Sequence, residues 1–242
     1  MKNLKKRIRL IICAAMVFAA VMMLPVFATE TKAQTPKQAA KQVMNAIKKC
    51  NDKKLGGYIN LESGGLYSTL NQQYPSVYNY FKKRNNKIKF TIGKVKTSGN
   101  KADVKVKVKY VDSKDFVDKV VDEYGNFITD MFTNRTAVSD SKTAVEGIFN
   151  KAAASAKDTI KSTTITLHFV KAGNSWLLTN ETANDDKFKS VIFCNFLAYE
   201  DRIKTGMISK MESLIPYIAQ QSGVSEAQVK ALVDQYKAQY GL

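Results

Sequence analysis

Lys101-Ala102-Asp103-Val104-Lys105-Val106-Lys107-Val108-Lys109-Tyr110 alternates apolar and mostly charged side chains without a break. A period of two sets Ala102, Val104, Val106, Val108 and Tyr110 on one face of a strand, and Asp103, Lys105, Lys107 and Lys109 on the other. One buried and one wetted face is the habit of an antiparallel sheet. Upstream, Ile88, Phe90 and Ile92 alternate with Lys89 and Thr91, but Val95 falls out of phase after Gly93; a bulge at Gly93 restores the facing. Thr97-Ser98-Gly99-Asn100-Lys101 carries turn chemistry, so the two runs read as a hairpin. Downstream, Ile165, Leu167 and Phe169 alternate with Thr164, Thr166 and His168, and Ala172-Gly173-Asn174 turns into Trp176-Leu177-Leu178-Thr179. This second hairpin completes a sheet of at least four strands.

The remaining segments have helical period. Thr35-Pro36-Lys37-Gln38 combines an N-cap, a proline in the first turn and a capping-box glutamine. Ala39, Ala40, Val43, Met44, Ile47 and Cys50 then recur on one side, with lysines largely on the other. Gly56-Gly57 and Gly64-Gly65 cut the next stretch into short pieces, and Pro75 opens a helix carrying Val77, Tyr78, Tyr80 and Phe81. Between the hairpins, about 114–161, Phe116, Val117, Val120, Val121, Tyr124, Phe127, Ile128, Met131 and Phe132 fill one broad arc. A capping box from Thr143 to Glu146 is expected to open a second stretch through Val145, Ile148, Phe149, Ala152, Ala156 and Ile160, giving a helical hairpin. Phe188, Val191, Ile192, Phe196, Tyr199 and Ile203 read as one helix returning over the sheet. Beyond it, Pro216 interrupts a helical tail, and a Ser225 to Gln228 box starts its last helix.

The first residues are of another kind. Basic 1–9 precede an apolar run, Leu10 to Leu24, and then Pro25-Val26-Phe27-Ala28. That order, with small residues at Val26 and Ala28, is the pattern of a secretory signal cleaved before Thr29, and it places the mature chain outside the cytosol. Cys13 lacks the small residue and long apolar approach that lipidation needs, and the mature chain is expected to have no membrane span. The domains are therefore expected as a signal peptide over 1–28, a main domain over 29–204 with its insertion, and a C-terminal helical extension over 205–242.

The chain has 38 Lys and Arg against 21 Asp and Glu, a formal +17. The leader takes five of these positive charges, and the rest still carries an excess of twelve. A strongly basic exported chain meets anionic polymers and lipid headgroups first. The charge comes almost wholly from lysine, with Arg84, Arg135 and Arg202 alone beyond the leader, which disfavours specific nucleic-acid recognition by arginine forks. Two cysteines come after the leader. Cys50 and Cys194 both stand in apolar helical runs and are expected as buried free thiols, with a disulfide as the alternative that an oxidising compartment permits.

Helices first, then a hairpin, a helical crossover and a second hairpin ending in a tryptophan strand make an α+β layout. Through Thr35-Pro36 and its helix, Gly99-Asn100-Lys101-Ala102-Asp103-Val104-Lys105-Val106 and Gly173-Asn174-Ser175-Trp176-Leu177-Leu178, the chain resembles the nuclear transport factor 2-like, or cystatin-like, superfamily, and within it small exported bacterial domains. The resemblance implies N-terminal helices closing a curved antiparallel sheet into a cone. It covers about Thr35 to Ile203 and says little about activity, because the shared residues are structural.

Some members resembling ketosteroid isomerase pair a pocket carboxylate with a tyrosine. Tyr58, Tyr67, Tyr74, Tyr78, Tyr80 and Tyr110 could supply phenols, but the apolar strand faces hold no acid, and core-rim tyrosines with wetted hydroxyls are the simpler expectation. His168 is the single histidine; no Gly-x-Ser-x-Gly elbow accompanies it, and Asp112 with Asp115, or Asp185 with Asp186, lacks the spacing of a calcium loop. No cofactor or metal is expected. The positive feature is the lysine face: Lys105, Lys107 and Lys109 project about 7 Å apart, with Lys89, Lys94 and Lys96 on the neighbouring strand. The expected function is a non-catalytic binding domain at the cell envelope whose partner is an anionic polymer, lipid headgroups or an envelope protein. The alternatives are a pocket isomerase or hydratase and a structural module of an envelope complex.

Overall fold

The structure, a computed structural model, describes residues 4, 5, 7–9, 35–58, 65–133 and 140–239. The apolar core of the leader, Cys13 and the expected cleavage point after Ala28 lie outside the described residues. Among the described residues no helix is long and apolar enough to cross a membrane.

The chain forms two compact units. The sheet unit comprises 23–113 and 158–198, and the helical unit comprises 1–22, 114–157 and 199–242. The expected insertion and C-terminal extension therefore belong to one body.

In the sheet unit, α1 (Pro36–Lys48) starts as its sequence foretells: Thr35 Oγ1 accepts from the Gln38 amide at 3.2 Å. After it come α2 (Asp52–Gly56), α3 (Leu66–Gln73) and α4 (Pro75–Asn85), the last with proline in its first turn. Strands β1 (Lys89–Ser98), β2 (Lys101–Asp112), β3 (Thr159–Ala172) and β4 (Ser175–Leu178) form an open antiparallel sheet in the order β1-β2-β3-β4. The bulge falls where the phase break puts it. Ile92 pairs Val106 and Val95 pairs Val104, so Gly93 and Lys94 together oppose Lys105. Glycine suits this bulge because a Cβ there would sit 3.2 Å from the Lys105 carbonyl oxygen. Val104, Val106 and Val108, with Ile165, Leu167 and Phe169, face a core closed by Ala40, Val43, Met44 and Ile47 of α1 and by Val77 and Phe81 of α4.

Two expectations fail here. The helix expected through Ile160 ends at Ser155, and β3 begins at Thr159 with Ile160 paired to Val111. The β-branched run Thr159, Ile160, Thr163, Thr164, Ile165 favours strand over helix, and Ile160 is left 54 % exposed. The single helix expected from Phe188 to Ile203 is broken as well. After α7 (Asn180–Asn184), α8 (Asp186–Ile192) stops before Cys194 and Asn195, which take left-handed conformations at φ 52° and 61°, and a 3₁₀ turn occupies Phe196–Tyr199.

The helical unit is built on α5 (Lys114–Phe132) and α6 (Ser141–Ser155), which pair as the expected hairpin with the Phe116 and Phe149 rings 5.4 Å apart. The cap of α6 is Asp140, whose carboxylate accepts from the Thr143 amide at 2.8 Å, in place of the expected Thr143 box. A carboxylate is the stronger N-cap because it also meets the helix dipole. Helices α9 (Glu200–Ser213), α10 (Ile215–Ser222) and α11 (Glu226–Gln239) complete the unit. Pro216 lies in the first turn of α10, and the Ser225–Gln228 box closes reciprocally at 3.0 and 3.3 Å. Gly206 lets α9 approach α5: a Cβ there would lie 2.9 Å from Val121. Near the chain start, Leu4 and Ile8 are buried and the Arg7 guanidinium lies 5.5 Å over the Phe132 ring.

An ion-pair cluster pins the start of β3 to α4. Asp158 accepts from Arg84 Nε at 3.0 Å and from Lys87, while the Arg84 guanidinium stacks 4.3 Å over Tyr80. Burial raises the Asp158 pKa, but hydrogen bonds and charge from Lys87 and Arg84 outweigh it and hold the carboxyl below its ordinary range. A lowered native pKa stabilises above the unfolded value of about 4 and is lost as pH falls through the native one. Asp158→Asn should therefore cost about 2 kcal/mol at neutral pH, and its gap from wild type in thermal melts should close as the buffer is acidified.

Candidate functional site

Alternation along β2 and its register with both neighbours set one face of the sheet toward water. Lys89 pairs Lys109, Thr91 pairs Lys107, and the Gly93-Lys94 bulge opposes Lys105. On the other side Lys109, Lys107 and Lys105 face Ser162, Thr164 and Thr166 of β3. Lys89, Lys94, Lys96, Lys105, Lys107 and Lys109 are all exposed, as are Lys101, Thr91, Ser162 and Thr164, while Thr166 is half-buried. The fold thus gathers all six expected lysines on β1 and β2, Lys94 at the bulge. Among the described residues none of these six, nor Lys101, pairs with a carboxylate. Lys101 shares the phase of Lys105, Lys107 and Lys109 on β2; the β3 hydroxyls are the members that the pattern of β1 and β2 leaves out, and cross-strand register is what brings them in.

Beyond residue 22 the charge is sharply divided. Residues 23–113 and 158–198 hold 22 Lys and Arg against nine Asp and Glu, whereas 114–157 and 199–242 hold 11 against 12. The whole positive excess beyond the leader resides in the sheet unit. Residues 114–157 and 199–242 are close to neutral, as where Asp118 is held by Arg202 at 2.6 Å and Lys114 at 3.0 Å. Burial raises the Asp118 pKa, yet these two cations keep it below the usual carboxylate range. A 420 Å³ cleft in this unit is lined by the same Asp118 and Arg202, with Asp122, Thr205 and Ser209.

His168 also stands on the outer face. Its Nδ1 lies 2.8 Å from Asp103 and its Nε2 3.5 Å from Glu181, so the one histidine bridges two carboxylates at the end of the lysine rows.

The tyrosines and cysteines form a different cluster, inside the sheet unit. Asn85, fully buried at the end of α4, donates through Nδ2 to Tyr67 Oη at 3.2 Å, to the Ile192 carbonyl at 3.0 Å and to Cys50 Sγ at 3.6 Å; its Oδ1 accepts from Cys194 Sγ at 3.3 Å. Both cysteines are free thiols and both have left-handed backbones. Burial pushes Cys50 up to about 11, partly offset by hydrogen bonds from Asn85 and Tyr67, and burial pushes Cys194 higher still. Thiols so disposed are poor nucleophiles. Tyr67 and Tyr80 are not core-rim residues: both are buried, and Tyr80 donates to Ser113 Oγ at 3.0 Å. Asp112 is committed to Lys161 and Asn195, each at 2.8 Å. This interior is organised as a hydrogen-bonded core.

No protein-family model, curated protein or solved structure matches this chain.

Proposed function

We propose that this chain is an exported, non-catalytic domain of nuclear transport factor 2-like layout that binds anionic material of the cell envelope through the outer face of its sheet. The observation that carries this reading is the row of exposed lysines on β1 and β2, without carboxylate partners among the described residues, in the unit that holds 22 Lys and Arg against nine Asp and Glu. Lysines so placed reinforce one another over a Debye length of roughly 8 to 10 Å. Their alternation with Val104, Val106 and Val108 separates binding from folding, because the lysines can be replaced without touching the core. The leader pattern of 1–28 supports delivery to that compartment.

The test is K105Q/K107Q/K109Q. Each lysine contributes up to about 1 kcal/mol near an anionic surface, so the triple variant should lose roughly a hundredfold in association while melting like wild type. Cosedimentation with purified cell walls and with anionic vesicles at low salt reads this directly. Equal sedimentation of the two proteins would overturn the reading and leave the stripe as a guard on an exposed strand.

A further inference from the structure

The outer face is not a uniform plane of charge. Three rows cross it: Lys89, Lys109 and Ser162; Thr91, Lys107 and Thr164; and the Gly93-Lys94 bulge with Lys105 and Thr166. Lysines occupy the centre and the β1 side, and hydroxyls form a ladder on β3. The next row, Lys96, Asp103 and His168, closes the track, because Asp103 brings a carboxylate and engages the histidine. What remains is a basic strip along β2, about 14 Å from Lys105 to Lys109 at 3.4 Å per residue, edged by Ser162, Thr164 and Thr166. Among the described residues these three hydroxyls make no hydrogen bond within the chain.

The strip's chemistry selects among polyanions. Its three rows hold no aromatic, arginine or large apolar side chain. It therefore lacks the stacking platform for nucleobases and the guanidinium fork for bidentate phosphate recognition; the exposed apolar side chain next to it, Ile160 one row beyond Ser162, stands alone and does not make the broad apolar face of an interfacial membrane binder. It offers point charges about 7 Å apart beside groups that both donate and accept hydrogen bonds. Phosphates bridged by a three-carbon polyol recur at a similar interval, and each bridge carries a hydroxyl. We infer that the strip takes a linear phosphodiester polymer with hydroxylated repeats, its phosphates on Lys105, Lys107 and Lys109 and its hydroxyls on Ser162, Thr164 and Thr166. This assignment rests on the proposed anion-binding function and narrows it to one ligand class.

The full chain is titrated at low salt with poly(glycerol phosphate), with inorganic polyphosphate of matched charge, and with vesicles of phosphatidylglycerol and phosphatidylcholine in a one-to-two ratio. Poly(glycerol phosphate) should bind tightest, and K105Q/K107Q/K109Q should lose all three. S162A/T164V/T166V should weaken poly(glycerol phosphate) about tenfold, a few-fold per hydrogen bond, and leave polyphosphate unchanged. If that variant melts early, T164V alone should weaken poly(glycerol phosphate) about threefold on the same grounds. A hydroxyl variant that binds poly(glycerol phosphate) like wild type would overturn the polymer assignment, as would tighter binding to vesicles than to either polymer. In both cases the anion-binding function stands. Binding to none of the three would overturn both.

Discussion

Replacing Asn85 by alanine should destabilise the chain by about 3 kcal/mol, a large share of the 5 to 15 kcal/mol that a domain usually has. The carboxamide sits where three helix ends meet: Cys50 just after α1, Asn85 closing α4, and Ile192 closing α8. It satisfies the Ile192 carbonyl and Tyr67 Oη through one nitrogen and takes the Cys194 thiol on its oxygen. Alanine strands those groups in a buried site and leaves a cavity. Aspartate should cost more at neutral pH, since it removes the donor and places a carboxyl in the same interior. Urea unfolding at constant m-value measures the loss. Alkylation of the native protein gives a second readout: Cys50 and Cys194 should react far faster in the alanine variant, because the thiols become accessible through lower-energy opening. A loss under about 1 kcal/mol would mean that the three ends hold together without the carboxamide.

Phe81→Ala should cost about 3 to 5 kcal/mol, the usual range for emptying a buried phenylalanine site. Phe81 is four residues before Asn85 on the same face of α4, and it is 1 % exposed. Its ring meets Tyr80, Phe196 and Phe193 edge-on at centroid distances of 5.4, 5.8 and 6.0 Å. Those partners come from its own helix and from the segment around the left-handed Cys194-Asn195 pair, so the cavity cannot close by a single helix shift. Phe81→Leu keeps most of the volume and should cost less than half as much. Similar melting of the alanine and leucine variants would show that the site collapses and that the aromatic cluster is dispensable.

The sheet was legible because its information is local. The alternation of 101–110 dictates which residues face the core, and the phase break between Ile92 and Val95 is enough to locate the bulge at Gly93. The caps at Thr35 and Ser225 are likewise read within four residues. What escaped depends on distant partners. The run from Phe188 to Ile203 has helical period throughout, yet the chain bends at Cys194-Asn195. There the Cys194 carbonyl accepts from the Ser113 amide and Asn195 reaches Asp112, contacts some 80 residues away in the chain. Ile160 has the spacing of a helix residue, but Val111 recruits it into the sheet. The candidate site divides the same way. Its lysines are visible in the alternation, while the hydroxyl ladder requires the β2–β3 register. The division of charge appears only once 114–157 and 199–242 are known to share one body.

The position of β1 has a consequence for handling the protein with any polyanion. Among the described residues β1 is an outer strand of the sheet, pairing with β2 alone, and it carries Lys89, Lys94, Lys96 and the bulge at Gly93. Charged side chains and bulges of this kind keep unpaired strands from zipping onto copies of themselves. A ligand that neutralises the lysines also disarms that guard. Turbidity should therefore peak where added phosphate matches the lysine charge, and clear again when excess polymer recharges the complex with the opposite sign.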